Sequence, residues 1–131
     1  MEGIVATKDG KIVARERGRG ISPALKLYRA GLLSGAAVAD KIVGRAASAI
    51  FIAGGVVSVR ADVMSVGAAQ FLSAHGIPAE ADVVTPQIIN RRGTGPCPME
   101  AAVEGMSDPR EMVAAIERKL AEMEAERGNA T

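Results

Sequence analysis

Apolar residues follow two rhythms along this chain. Ile4-Val5-Ala6 and Lys11-Ile12-Val13-Ala14 are short strand-like runs, and Asp9-Gly10 stands between them. That dipeptide favours the positive-φ turn of a two-residue hairpin. Residues 15–20 are polar and glycine-rich, a loop. Ser22-Pro23 then reads as an N-cap followed by proline at the first helical position, with Leu25, Tyr28 and Leu32 at helical spacing up to about Gly31. After the break at Ser34-Gly35 comes a stretch rich in apolar residues, with Ile42, Val43, Ala46, Ala47, Ile50 and Phe51. It predicts a helix starting between residues 36 and 40 and ending at 53. A helix apolar nearly all round is a core helix, so it should be the most buried element.

Gly54-Gly55 ends that helix, and Val56-Val57-Ser58-Val59 reads as a strand. Met64, Ala68, Phe71, Leu72 and His75 then recur at helical spacing, with Gly76 as a left-handed stop. Ala81-Asp82-Val83-Val84 is a further strand, starting as early as Ala79. A short helix follows over residues 98–105. Ser107 or Asp108 caps the last helix, which has Pro109 early and one apolar stripe of Met112, Ala115, Ile116, Leu120 and Met123. Its other positions are largely charged, so it packs by one face. A hairpin, two helices, then β, α, β and two more helices predict an α/β fold. The expectation is a three-layer α/β/α sandwich on a four-stranded mixed sheet.

Length bounds this to one domain, expected over residues 1–127, with 128–131 a disordered tail. Apolar residues make up 48% but aromatics only 2%, so aliphatic and Met side chains must fill the core. The formal charge of +1 and the lack of an aromatic platform argue against a nucleic-acid partner. One cysteine precludes an intramolecular disulfide and suits a reducing cytoplasm. Lys8, Asp9 and Lys11 come too early for a signal peptide, and no run of about 18 apolar residues suggests a membrane span.

The candidate chemistry concentrates in Asn90-Arg91-Arg92-Gly93-Thr94-Gly95-Pro96-Cys97-Pro98-Met99-Glu100. Pro98 suits the first position of a helix, which places Cys97 at its N-cap and Glu100 at its third position. A thiol, free N–H groups and the positive end of a helix dipole would meet near Arg91 and Arg92, a setting that favours an anion. The arginines could clamp a phosphate or carboxylate, helped by the Thr94 hydroxyl, or simply be solvated. Cys97 is an activated thiolate in the sharper reading and an inert cap in the plainer one. Glu100 is a general acid or base, or reaches back to its own N-cap amide as a capping box. The predicted central helix carries few charges, Asp40, Lys41 and Arg45. They either line a pocket at its start, or Asp40 caps it while Lys41 snorkels to solvent. His75 suits a helix C-terminus.

Asp40-Lys41-Ile42-Val43-Gly44-Arg45-Ala46-Ala47, together with Ile89-Asn90-Arg91 and Cys97-Pro98-Met99-Glu100 far downstream, resembles a small prokaryotic domain-of-unknown-function family. That family is placed in the cytidine-deaminase-like superfamily. The resemblance covers about residues 4–104 and implies strand order 2-1-3-4 but no established activity. Catalytic members of the superfamily bind zinc through His (or Cys)-x-Glu on one helix and Pro-Cys-x-x-Cys on the next. Here the resemblance sets Asp62 and Ser65, followed by Gly67-Ala68, where the two cysteines would be. No His lies near Asp40, which could stand at either the His or the Glu position. Asp40, Asp62 and Ser65 make a poor zinc set, so no metal or cofactor is expected.

These readings converge on a zinc-free, deaminase-like domain binding a small anionic metabolite, nucleotide-like by fold analogy. Asp40, Lys41, Arg45, Arg91, Arg92, Thr94 and Cys97 would line the site. Two alternatives stand beside it. One is a metal-independent enzyme using Cys97, Glu100 or Asp40. The other is a non-catalytic interaction module, such as a homodimer.

Overall fold

Strands β1 (Ile4–Lys8) and β2 (Lys11–Glu16) form the expected hairpin. Asp9 at φ 53° and Gly10 at φ 78° make the two-residue turn, both in the left-handed region that such a turn requires. The computed structural model describes residues 3–18, 20–88 and 97–129. After helix α1 (Ser22–Arg29) the chain runs through β3 (Ala37–Val43), α2 (Arg45–Gly54), β4 (Ser58–Ser65), α3 (Val66–Ala74) and β5 (Ala79–Thr85). Helices α4 (Pro98–Ala102) and α5 (Pro109–Asn129) complete it.

The expected central helix is therefore two elements. Residues 37–43 form a strand, and the helix begins only at Arg45. A run this rich in apolar residues carries little period, so helix and buried strand look alike in it. Gly44, extended at φ −98°, ψ −175°, is the boundary. The sheet consequently has five strands rather than four, in the order β2-β1-β3-β4-β5. The missed strand is the central one. β1 pairs antiparallel with β2 and β3, while β3–β4 and β4–β5 are parallel. The strand expected at residues 56–59 starts at Ser58 and continues to Ser65, so Met64 belongs to a strand and not to the helix after it.

Both parallel crossovers step the same way across the sheet, which puts α2 and α3 on one face by the right-handed rule. Helices α1, α4 and α5 also pack against α2. The core lies between this helical group and one sheet face. Ile4, Ala6, Val38, Val59 and Ala61 supply the sheet side; Leu25, Ile50, Phe51, Leu72, Met112 and Ile116 supply the helices. The alternate positions Val5, Thr7, Ala37, Ala39 and Ser58 are only half-buried, and Arg60 is exposed. Among the described residues no helix covers that second face, so the third layer expected there is not present among them. Alternation also slips by one residue in two neighbouring strands. Val38 and Asp40 turn inward and then Val43; beside them Val59 and Ala61 turn inward and then Met64. Lys41 and Ile42 are both exposed as a result, Ile42 at 48%.

Candidate functional site

The first turn of α2 has free N–H groups and no capping side chain on its own N-cap, Gly44. Glu100 supplies the cap from more than fifty residues away. Its Oε1 accepts from the Arg45 N–H and its Oε2 from the Ala46 N–H, each at 2.7 Å. A carboxylate at a helix N-terminus also complements the dipole. Gly44 is needed for this approach, because a Cβ there would lie 2.4 Å from Glu100 Oε1. The capping box within α4 does not form; the same carboxylate serves a different helix.

Arg45 binds in the opposite direction. Its Nη1 donates to the Val103 carbonyl at 2.9 Å and its Nη2 to the Met106 carbonyl. The guanidinium also lies over the Phe71 ring, 4.8 Å from its centre, a cation–π contact. Glu100 and Arg45 therefore tie α2 and the α4 segment together at both ends of the contact, with α3 stacked on the side. The anion position that the sequence suggests at the start of the central helix is already filled by a carboxylate of the same chain.

Cys97 is the N-cap of α4 as expected, half-buried, with no capping hydrogen bond from its side chain. Its N–H donates to the Ile88 carbonyl at 3.1 Å. Residues 88 and 97 thus meet at the base of the intervening segment, and Ile88 abuts Gly44. Arg91, Arg92 and Thr94 lie outside the described residues.

Asp40 and Lys41 do not begin a helix, because they sit on β3. Asp40 is flanked in the sheet by Ile4 on β1 and Ala61 on β4, both fully buried. Among the described residues its hydrogen-bond partner is the Lys41 N–H, 2.8 Å from Oδ1. Burial raises its pKa to about 6; the Lys41 N–H opposes this and the charge of Asp62 adds to it. Lys41 is exposed.

Asp62 is a strand residue and not a helix cap. Ser65 is the cap of α3, its Oγ accepting from the Ala68 N–H at 3.0 Å. His75 closes α3, with Nδ1 3.0 Å from the Phe71 carbonyl. Among the described residues no three His, Cys, Asp or Glu side chains are grouped to hold a metal ion. No described helix is long and apolar enough to cross a membrane. The Arg45–Glu100 tie was missed in the sequence. Its one signal was a helix that opens on Gly44-Arg45-Ala46 with no Ser, Thr, Asp or Asn to cap it.

The family model TM1506, domain of unknown function (DUF1893), matches residues 2–120. The chain belongs to the DUF1893 family. A crystal structure of a DUF1893 family protein (TM1506) from Thermotoga maritima is similar, with a TM-score of 0.83 and 26% identity over 89% of this chain and 80% of that one. No curated protein matches. Among its described residues this DUF1893 chain has a five-stranded mixed sheet and five helices. Its candidate residues divide into two groups. Arg45 and Glu100 are engaged in holding helices, whereas Asp40 and Lys41 are not; Cys97 is the N-cap of α4 but its thiol makes no capping hydrogen bond.

Proposed function

We propose that this chain binds a small anionic metabolite at the carboxyl-terminal half of β3, with Asp40 as the contact that carries the proton. The observation behind this is the setting of Asp40. A carboxyl group held between buried Ile4 and Ala61, its pKa raised to about 6, weakens the fold when ionised. Strongly perturbed acids of this kind concentrate at functional sites. When protonated, Asp40 donates a hydrogen bond to an anionic oxygen. Lys41 is exposed beside it, and Arg91 and Arg92, on the segment whose base lies against Gly44, supply further positive charge.

The fold in this reading is deaminase-like without the zinc set. Ser65 caps α3 and Asp62 lies in a strand, so neither does the work of a deaminase cysteine. Glu100 has both oxygens engaged in hydrogen bonds, which argues against a free general base there.

An anion beside Asp40 raises its pKa further, so binding takes up a proton. Calorimetric titration with inorganic phosphate, a nucleoside monophosphate and a dicarboxylate should therefore give affinity that rises as pH falls from about 7.5 to about 5.5, by up to about tenfold per pH unit. Asp40→Asn should keep binding and flatten that slope, while Lys41→Ala and Arg91→Ala weaken binding at every pH. No heat with any of the three anions, or a slope unchanged by Asp40→Asn, would sink the proposal.

A further inference from the structure

Where β3 and β4 slip in their alternation, and at the same height on β5, each strand carries a charged residue followed by a branched apolar one. The pairs are Lys41-Ile42, Asp62-Val63 and Asp82-Val83. The parallel register sets Ile42 beside Val63 and Val63 beside Val83. The apolar row thus crosses these strands over about 10 Å at ordinary strand spacing. It lies toward their carboxyl ends, where α/β sheets commonly receive ligands. Ile42 is 48% exposed and Val83 55%, with Val63 half-buried between them. After β5 the chain returns past β4, and Ile88 abuts Gly44 just beyond β3. That crossing bounds the row at the strand ends.

We propose that the ligand of the Asp40 site is an amphipathic anion, an anionic head on an uncharged apolar tail, with the tail laid along Ile42, Val63 and Val83. This rests on the reading of Asp40 and Lys41 as the contacts for the anion, and adds the kind of body that the anion carries. The charges beside the row set the direction. Lys41 is the cation on β3, while Asp62 and Asp82 occupy the same height on β4 and β5. Arg60, the cation nearest to them on β4, is taken up by Glu80 and Asp82 of its own chain. An anionic head is therefore drawn to β3 and repelled from the other two strands. Asp62 also helps to keep the proton on Asp40, so that Asp40 donates to the head instead of repelling it. A second charge reaching over β4 would meet Asp62, whereas an uncharged tail there takes exposed valine and isoleucine surface out of water. A bare phosphate covers none of that surface. A hexyl chain reaches over most of the row. Contact on one side buries about half of each methylene, which corresponds to a gain in affinity of roughly twofold per methylene.

Calorimetric titration of the full chain at pH 6 with inorganic, methyl, butyl and hexyl phosphate tests it. Affinity should rise along the alkyl series, by at least about tenfold from methyl to hexyl. Ile42→Thr and Val83→Thr keep the β-branch that suits a strand, and each should lower the hexyl-to-methyl ratio at least about twofold. Val57→Thr changes a valine that is equally exposed but precedes β4, and should leave that ratio where it is. Circular dichroism checks that each variant is folded. Should a Thr variant fail to fold, amide spectra of the unaltered chain give a second readout: hexyl but not methyl phosphate should shift Val63 and Val83. If inorganic phosphate binds with the slope that depends on Asp40 but hexyl phosphate is no tighter than methyl phosphate, the tail row is overturned and the anion site stands. If none of the four phosphates binds, both fall. A hexyl gain that survives Ile42→Thr with Val83→Thr in one chain, or that Val57→Thr reduces as much, also overturns the proposal, as do spectra in which Val63 and Val83 stay still.

Discussion

At the scale of single residues, Glu100 and Asp40 are both carboxyls but serve opposite ends. Glu100 accepts two backbone N–H groups at 2.7 Å, so its charge is satisfied where it stands. Glu100→Ala should cost about 2–3 kcal/mol in urea denaturation, since it strips a charge-assisted cap and leaves two donors open. Glu100→Gln, which keeps one acceptor, should cost less. A catalytic Glu100 would give the reverse, with stability intact. Asp40 acts through pH. Its folded pKa of about 6 lies above the ordinary 3.8, so between those values the folded chain holds a proton that the unfolded chain has released. Its contribution is fully present below about pH 4 and is lost as pH rises through 6, about 3 kcal/mol in all. Denaturation midpoints from pH 4 to 7 should show stability falling, less the contributions of other groups, and Asp40→Asn should remove that part of the slope.

Between elements, α2 is the hub, and Arg45 is its fastening to the turn after α4. Replacing Arg45 by Met keeps the stem but leaves the Val103 and Met106 carbonyls unpaired and the Phe71 face uncovered. The expected loss is about 2–4 kcal/mol. Arg45→Lys should recover only part of it, because one ammonium cannot reach two carbonyls with the fork of a guanidinium. Ser65→Ala should cost about 1 kcal/mol, the ordinary value of an N-cap. These elements differed in how far the chain announced them. The Asp9-Gly10 hairpin, the His75-Gly76 end of α3, Cys97-Pro98 at the start of α4 and the Met112–Ile116 stripe of α5 each rest on local rules, and each formed where those rules put it. Strand β3 did not, because an apolar run next to an apolar helix has no period to read, and only Gly44 marks the change. The Glu100 cap was illegible for a different reason: its partner is more than fifty residues away.

For the molecule as a whole, the described helices gather on one side of the sheet, and among the described residues no helix covers the other. Asp40 stands on β3 between buried neighbours. Placing Asp40 on a strand moves the proposed metabolite site away from the helix N-terminus, where Glu100 has taken the place of an anion. The most direct measurement is a titration of amide nitrogen–proton correlation spectra with inorganic phosphate and with a nucleoside monophosphate at pH 6, close to the raised pKa of Asp40. The account predicts saturable shifts at Asp40, Lys41 and Ile42 and across residues 89–96, with Arg45 and Ala46 little moved because Glu100 keeps their N–H groups. Shifts confined to Arg45, Ala46 and Cys97, or to Val5, Ala37 and Ala39 on the open face, would contradict it, as would spectra that neither anion changes.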